Sequence, residues 1–177
     1  MNQESTNAVN SDQEATHIPS APFSSEINQP DQDHSDFSPA EFESINSAIE
    51  SGDSANVNKL SLQMMKLVNY FKFALKEKHL CTPTKLIKLL LNNTIPITNP
   101  TQEFFETTSK ILSMMKQTSE CKAILELMKS LSISSDKTLK HYFDCLIKDG
   151  RFDEAEANFE EEIQKLDSTS KTVSTLS

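Results

Sequence analysis

The chain has 177 residues, a formal net charge of −9, an apolar share of 36%, two glycines and no tryptophan. An apolar share below the usual ~45–50% leaves material for one modest core with polar tails rather than two domains. Two glycines exclude a glycine-rich phosphate cradle, and no apolar run approaches the ~18–20 residues that a membrane span requires.

Residues 1–58 hold eleven acids and no Lys or Arg, set among Ser, Asn, Gln, Thr and Pro. Such a composition buries too little surface to offset chain entropy, so a disordered acidic arm is expected over 1–58. Within it, Ser38 as cap, Pro39 at the first helical position and Glu41 at the third predict a short helix over 39–51, closed by Gly52. Phe42, Ile45 and Ile49 give that helix an apolar stripe. It therefore reads as a docking segment, for the chain's own basic helices or for a partner. The N-terminus carries neither a basic-hydrophobic leader nor the arginines of a transit peptide. Cys81, Cys121 and Cys145 are too scattered for a disulfide framework. Cytoplasm or nucleus is expected ahead of the mitochondrion.

The folded part is expected over 59–167, with a disordered tail over 168–177. The pattern predicts a first helix over 59–78, with Met64, Val68, Phe71 and Leu75 as one stripe and Leu60, Leu67, Tyr70 and Phe73 widening it. Thr82-Pro83 opens a second helix rich in Leu, and Asn92 to Pro100 forms a loop. Thr101-Gln102 starts a third helix through Phe104, Phe105, Ile111 and Leu112. A fourth follows through Cys121, Ile124, Leu125 and Met128, and Ser134-Ser135-Asp136 restarts the chain into Lys137 to Leu166. That last stretch reads as helix, tight turn at Gly150, and helix. Its stripes are Leu139, Phe143, Leu146, Ile147 and then Ala155, Phe159, Ile163, Leu166. Phe159 is expected to be buried between the two helices. The sum is an all-α domain of about three helix hairpins, either a short α-solenoid or a six-helix bundle.

The run Gly150-Arg-Phe152-Asp-Glu-Ala155, followed by Phe159 and Ile163, resembles the second half of a tetratricopeptide repeat. It resembles a pentatricopeptide repeat about as well, and Ile133-Ser-Ser-Asp136 is similar to the end of a repeat of that family. Setting Met114–Ala123 against Leu146–Ala155 gives an ungapped offset of 32. The pentatricopeptide resemblance implies single-stranded RNA readout by an early first-helix residue and the last repeat residue. At that offset these fall on Thr108 and Asp136, with Lys140 at the early position of the last pair. Ile95-Pro-Ile-Thr98 before two helices is similar to the N-terminal bundle of transcription elongation factor S, a family that binds disordered acidic peptides.

Charge divides the folded part. From Lys59 to Lys148 there are fourteen Lys against seven acids, and from Asp149 to Asp167 eight acids against Arg151 and Lys165. Lys72, Lys76, Lys78, Lys85 and Lys88 give the first hairpin a basic face suited to an acidic helix or peptide, or to RNA. A single arginine speaks for protein over phosphate. No nucleophile elbow or paired catalytic carboxylate is present, and Glu160-Glu161-Glu162 reads as a solvated helix face. His141 and Cys145, four apart, are an imperfect ligand pair, and the cysteine reads as a buried structural residue rather than a metal ligand. The expectation is a non-enzymatic adaptor or complex subunit, without cofactor or metal, that binds a partner protein; the alternative is a small pentatricopeptide-like RNA binder.

Overall fold

The computed structural model describes the backbone of residues 37–175 and the side chains of residues 37–169. Among the described residues there are eight helices and no strand: α1 (Pro39–Ser51), α2 (Ser54–Ser61), α3 (Met64–Glu77), α4 (Cys81–Leu91), α5 (Gln102–Met114), α6 (Thr118–Ser130), α7 (Asp136–Lys148) and α8 (Phe152–Thr175). No described helix is long and apolar enough to cross a membrane.

Local chemistry explains most of the boundaries. Ser38, Asp53, Thr101 and Ser135 each accept a hydrogen bond from a backbone N–H in the first turn of the helix they precede. Gly52 and Gly150 close α1 and α7 in the left-handed region, at φ 74° and 73°. Lysines do the same work elsewhere: Lys78 ends α3 at φ 61° and Lys116 turns the chain between α5 and α6 at φ 55°. The single helix expected over 59–78 is divided in two at Leu62-Gln63. α8 continues past residue 167, so the tail expected over 168–177 is helical as far as Thr175.

The hairpins stack in a row. α3, α5 and α7 form one layer, α3 packing on α5 and α5 on α7, while α4 and α6 form the layer behind them. α8 packs on α7 at the end of the row. The core runs the length of this stack through Leu67, Tyr70, Phe71, Leu86, Phe104, Phe105, Ile111, Leu112, Ile124, Tyr142 and Leu146, all at or near zero exposure. α3 is buried on two sides because α1 lies against one and α5 against the other. Phe42 of α1 meets Tyr70 and Phe73, and Phe71 meets Phe104 of α5 at 6.3 Å between ring centroids.

The expected arm over 1–58 is corrected from residue 37 onward. The described residues from Phe37 onward form one compact unit, and Phe37, Phe42, Ile49 and Val57 belong to its core. The acidic composition of the segment is real, but its apolar stripe is matched by Tyr70 and Phe73, which offsets the ordering entropy. Residues 1–36, the remainder of that expectation, lie outside the described residues.

Candidate partner-binding surfaces

The basic face of the first hairpin is largely answered within the chain. Lys85 pairs with Glu50 of α1 at 2.6 Å, Lys72 with Glu103 of α5, and Lys88 with Glu120 of α6 at 3.5 Å. Lys66 pairs with Glu41 of α1 at 2.5 Å. Hydrogen bonds from Lys85 and Thr82 hold the Glu50 carboxyl below the usual carboxylate range. Lys76 and Lys78 are exposed and make no ion pair among the described residues. An acidic helix does sit against this face, and it is the chain's own α1.

That placement corrects the reading of Phe42, Ile45 and Ile49 as residues offered to a partner. Phe42 and Ile49 are core, and Ile45 packs against it, half-buried. Tyr70 donates to Asn46 of α1 at 2.7 Å, an anchor with no counterpart in the stripe pattern. A groove of about 390 Å³ opens beside Ile45, between α1, α2 and α3, edged by Lys59, Lys66 and Glu41.

The trio implied for base readout is not brought together on a surface. Thr108 is fully buried, and its hydroxyl donates to the carbonyl of Phe104 at 2.7 Å. Asp136 and Lys140 are exposed on the first turns of α7, with Lys140 paired to Asp144 at 3.1 Å. The alignment is the cause. Lys116 and Gly150 are the equivalent left-handed turn residues of the last two hairpins, so the true offset is 34 (116 to 150), not 32. Thr108 then corresponds to Tyr142, a core position.

The contact between the last two hairpins adds a polar seam to the shared core. Glu106 of α5 accepts from Ser135 at 2.8 Å and pairs with Lys137 at 3.3 Å. Burial raises the pKa of that carboxyl, but hydrogen bonds from Gln102, Ser135 and Lys137 outweigh it and hold it below the usual range. Ser109 Oγ and His141 Nδ1 are 2.8 Å apart, Lys148 reaches Ser113 Oγ at 3.3 Å, and Thr118 donates to Asp149. Cys121 and Cys145 are fully buried beside this seam, each thiol directed at a backbone carbonyl of α5. The neighbouring Cys145 and burial push the Cys121 thiol pKa up.

The far side of the last hairpin is different. Ile147, Phe152, Phe159, Ile163 and Leu166 are 51, 61, 55, 43 and 71% exposed. The expectation that Phe159 is buried is therefore corrected: its ring meets the edge of Phe143, 6.1 Å between centroids, and the rest faces outward. α8 meets the stack through Ala155, through Glu154, which accepts from Tyr142 at 3.2 Å, and through Glu162. Glu162 pairs with Lys129 of α6 at 2.6 Å, which holds its carboxyl below the usual range. The stripe 155, 159, 163, 166 was visible in the sequence, but a stripe does not say whether a neighbour covers it. The border of Asp153, Glu156 and Glu160 along its outer edge was legible only once the face of α8 turned to α7 was known. Compared with protein-family models, curated protein sequences and solved structures, the chain has no match.

Proposed function

We propose that this chain is an adaptor or complex subunit that binds a partner protein through its last hairpin, and that its work is binding rather than catalysis. The observation that carries the reading is the continuous apolar face of Phe152, Phe159, Ile163 and Leu166, each more than two-fifths exposed on a helix otherwise rich in acids. Apolar side chains contiguous on a surface and rimmed by polar ones mark interaction sites, whereas singly scattered ones do not. The lysine face supports the same ranking by default, because most of it is engaged within the chain.

The test is affinity capture from the source cells with ribonuclease present, comparing the natural chain with a Phe159→Glu, Ile163→Glu variant and a Lys76→Gln, Lys78→Gln variant. Circular dichroism confirms that each variant is folded. The expected result is a protein retained by the natural chain and by the lysine variant, and lost with the α8 variant. Capture that survives the α8 changes but fails with the lysine changes, or that vanishes under ribonuclease, overturns the reading.

A further inference from the structure

The contact made by α7 on the hairpin before it shows what the next position in the stack would receive. Besides the Glu106–Lys137 pair and the core packing, polar contacts to Ser109, Ser113 and Thr118 hold α7 and its C-cap there. At the offset of 34 these positions correspond to Phe143, Ile147 and Phe152 of the last hairpin. Ser109, Ser113 and Thr118 are buried by α7, whereas Ile147 and Phe152 stand more than half exposed and Phe143 is half-buried. The last hairpin thus presents the seat on which a further helix would lie, with polar contacts exchanged for apolar ones, and among the described residues no helix occupies it. Phe159 and Ile163 extend the seat along α8.

Charge selects the occupant. Asp153, Glu156 and Glu160 lie at i, i+3 and i+7 beside the apolar stripe and have no ion pair among the described residues. Residues 1–36 contain seven acids and no Lys or Arg, so their sequence offers no complementary cation. A second copy docked through this same face would bring an identical acidic border, with the same penalty. Resting on the function proposed above, we infer that the partner contributes an amphipathic α-helix with a Lys- or Arg-rich edge, seated against α7 and α8 as the next helix of the row. Its apolar side covers Phe143, Ile147, Phe152 and Phe159, and its basic edge meets Asp153, Glu156 and Glu160.

Two labelled synthetic peptides of about 20 residues test this, long enough to form several helical turns. Both carry Leu at helical spacing; one bears Lys and the other Glu along one edge. Each is titrated by fluorescence anisotropy against the full chain, and light scattering follows the mass of the protein alone. The Lys-edged peptide should bind roughly tenfold or more tightly, with the gap closing as salt rises. Phe159→Ser with Phe152→Ser should weaken it by a similar factor. Asp153→Asn, Glu156→Gln, Glu160→Gln should remove the preference, whereas Glu4→Gln, Asp12→Asn, Glu14→Gln should leave it intact. Equal binding of the two peptides, no binding of either, or an equal effect of the two neutralised trios overturns the inference. Concentration-dependent dimerisation abolished by Phe159→Ser also overturns it, in favour of a second copy. If capture of a cellular protein still depends on Phe159 while the peptides show no preference, the proposed function stands and the basic helix alone falls.

Discussion

Phe159 lies edge-on to Phe143 with ring centroids 6.1 Å apart, yet 55% of its surface remains open. One aromatic contact of this kind contributes about 0.5–1.5 kcal/mol beyond the area it covers. Phe159→Ala should therefore cost only ~1–2 kcal/mol, whereas Phe104→Ala, at zero exposure, should cost ~3–5 kcal/mol. Urea melts of the two variants decide it. Equal losses would mean that Phe159 is covered in solution.

The attachment of α1 rests on Phe42 more than on its ion pairs. Phe42 is 2% exposed and lies 5.2 Å from the Tyr70 ring and 5.0 Å from that of Phe73. The pairs Lys66–Glu41 and Lys85–Glu50 have side chains 35–59% exposed, where such pairs contribute about 0.2–1 kcal/mol. Phe42→Ala should lower stability by ~3–5 kcal/mol and Lys85→Gln by no more than ~1 kcal/mol. Denaturant melts at low and high salt check both. A larger loss for Lys85→Gln would make α1 an electrostatically held segment.

What the sequence made legible follows from how local each cause is. The caps at Ser38, Thr101 and Ser135 involve residues three apart, and all were readable. The stripes named nearly all of the core of α3, α5 and α6 for the same reason. The break at Leu62-Gln63 carries neither Gly nor Pro, so nothing local announces it. Lys116 takes a left-handed turn usually given to glycine, which hid its equivalence to Gly150. That displaced the repeat alignment by two residues, and with it the positions assigned to base readout. The status of the Phe42 and Phe159 stripes depended on whether another helix lay over each, and that is a tertiary fact. The acidic composition around Phe42 suggested the opposite of what packing against Tyr70 and Phe73 produced.

Thr138 presents an unbalanced group in the core. It is fully buried in the first turn of α7, and its hydroxyl has no hydrogen-bond partner among the described residues. A buried polar group left unpaired costs about 1–3 kcal/mol, so replacing the hydroxyl by a methyl of similar shape removes that penalty. Thr138→Val should leave stability unchanged or raise it by up to ~1 kcal/mol. A thermal melt suffices. A loss above ~1 kcal/mol would mean that the hydroxyl is hydrogen-bonded in solution.

His141 should give the fold a stability step near neutral pH. Burial lowers its pKa below the ordinary imidazole value of 6.5, and Lys110 and Lys140 act in the same direction, while Asp144 and Glu106 oppose them. The folded chain therefore holds the ring neutral, within reach of Ser109 Oγ at 2.8 Å. Below the unfolded pKa the denatured chain takes up the proton more readily than the native one. The contribution is thus fully present above 6.5 and is lost as pH falls through that value toward the lower folded one. Glu50, Glu106 and Glu162 also have lowered pKa values, and their contribution too is lost on acidification. Their window, however, lies at and below the ordinary carboxylate value of 4.5, so the two steps are separable. Urea midpoints taken from about pH 7.5 to about pH 5 should fall for the natural chain. They should stay flatter for His141→Gln, which can still hydrogen-bond Ser109 but does not titrate. A natural chain with no decline in that interval, or a His141→Gln variant that declines in parallel with it, would show that His141 is solvated in the fold and that the step belongs elsewhere.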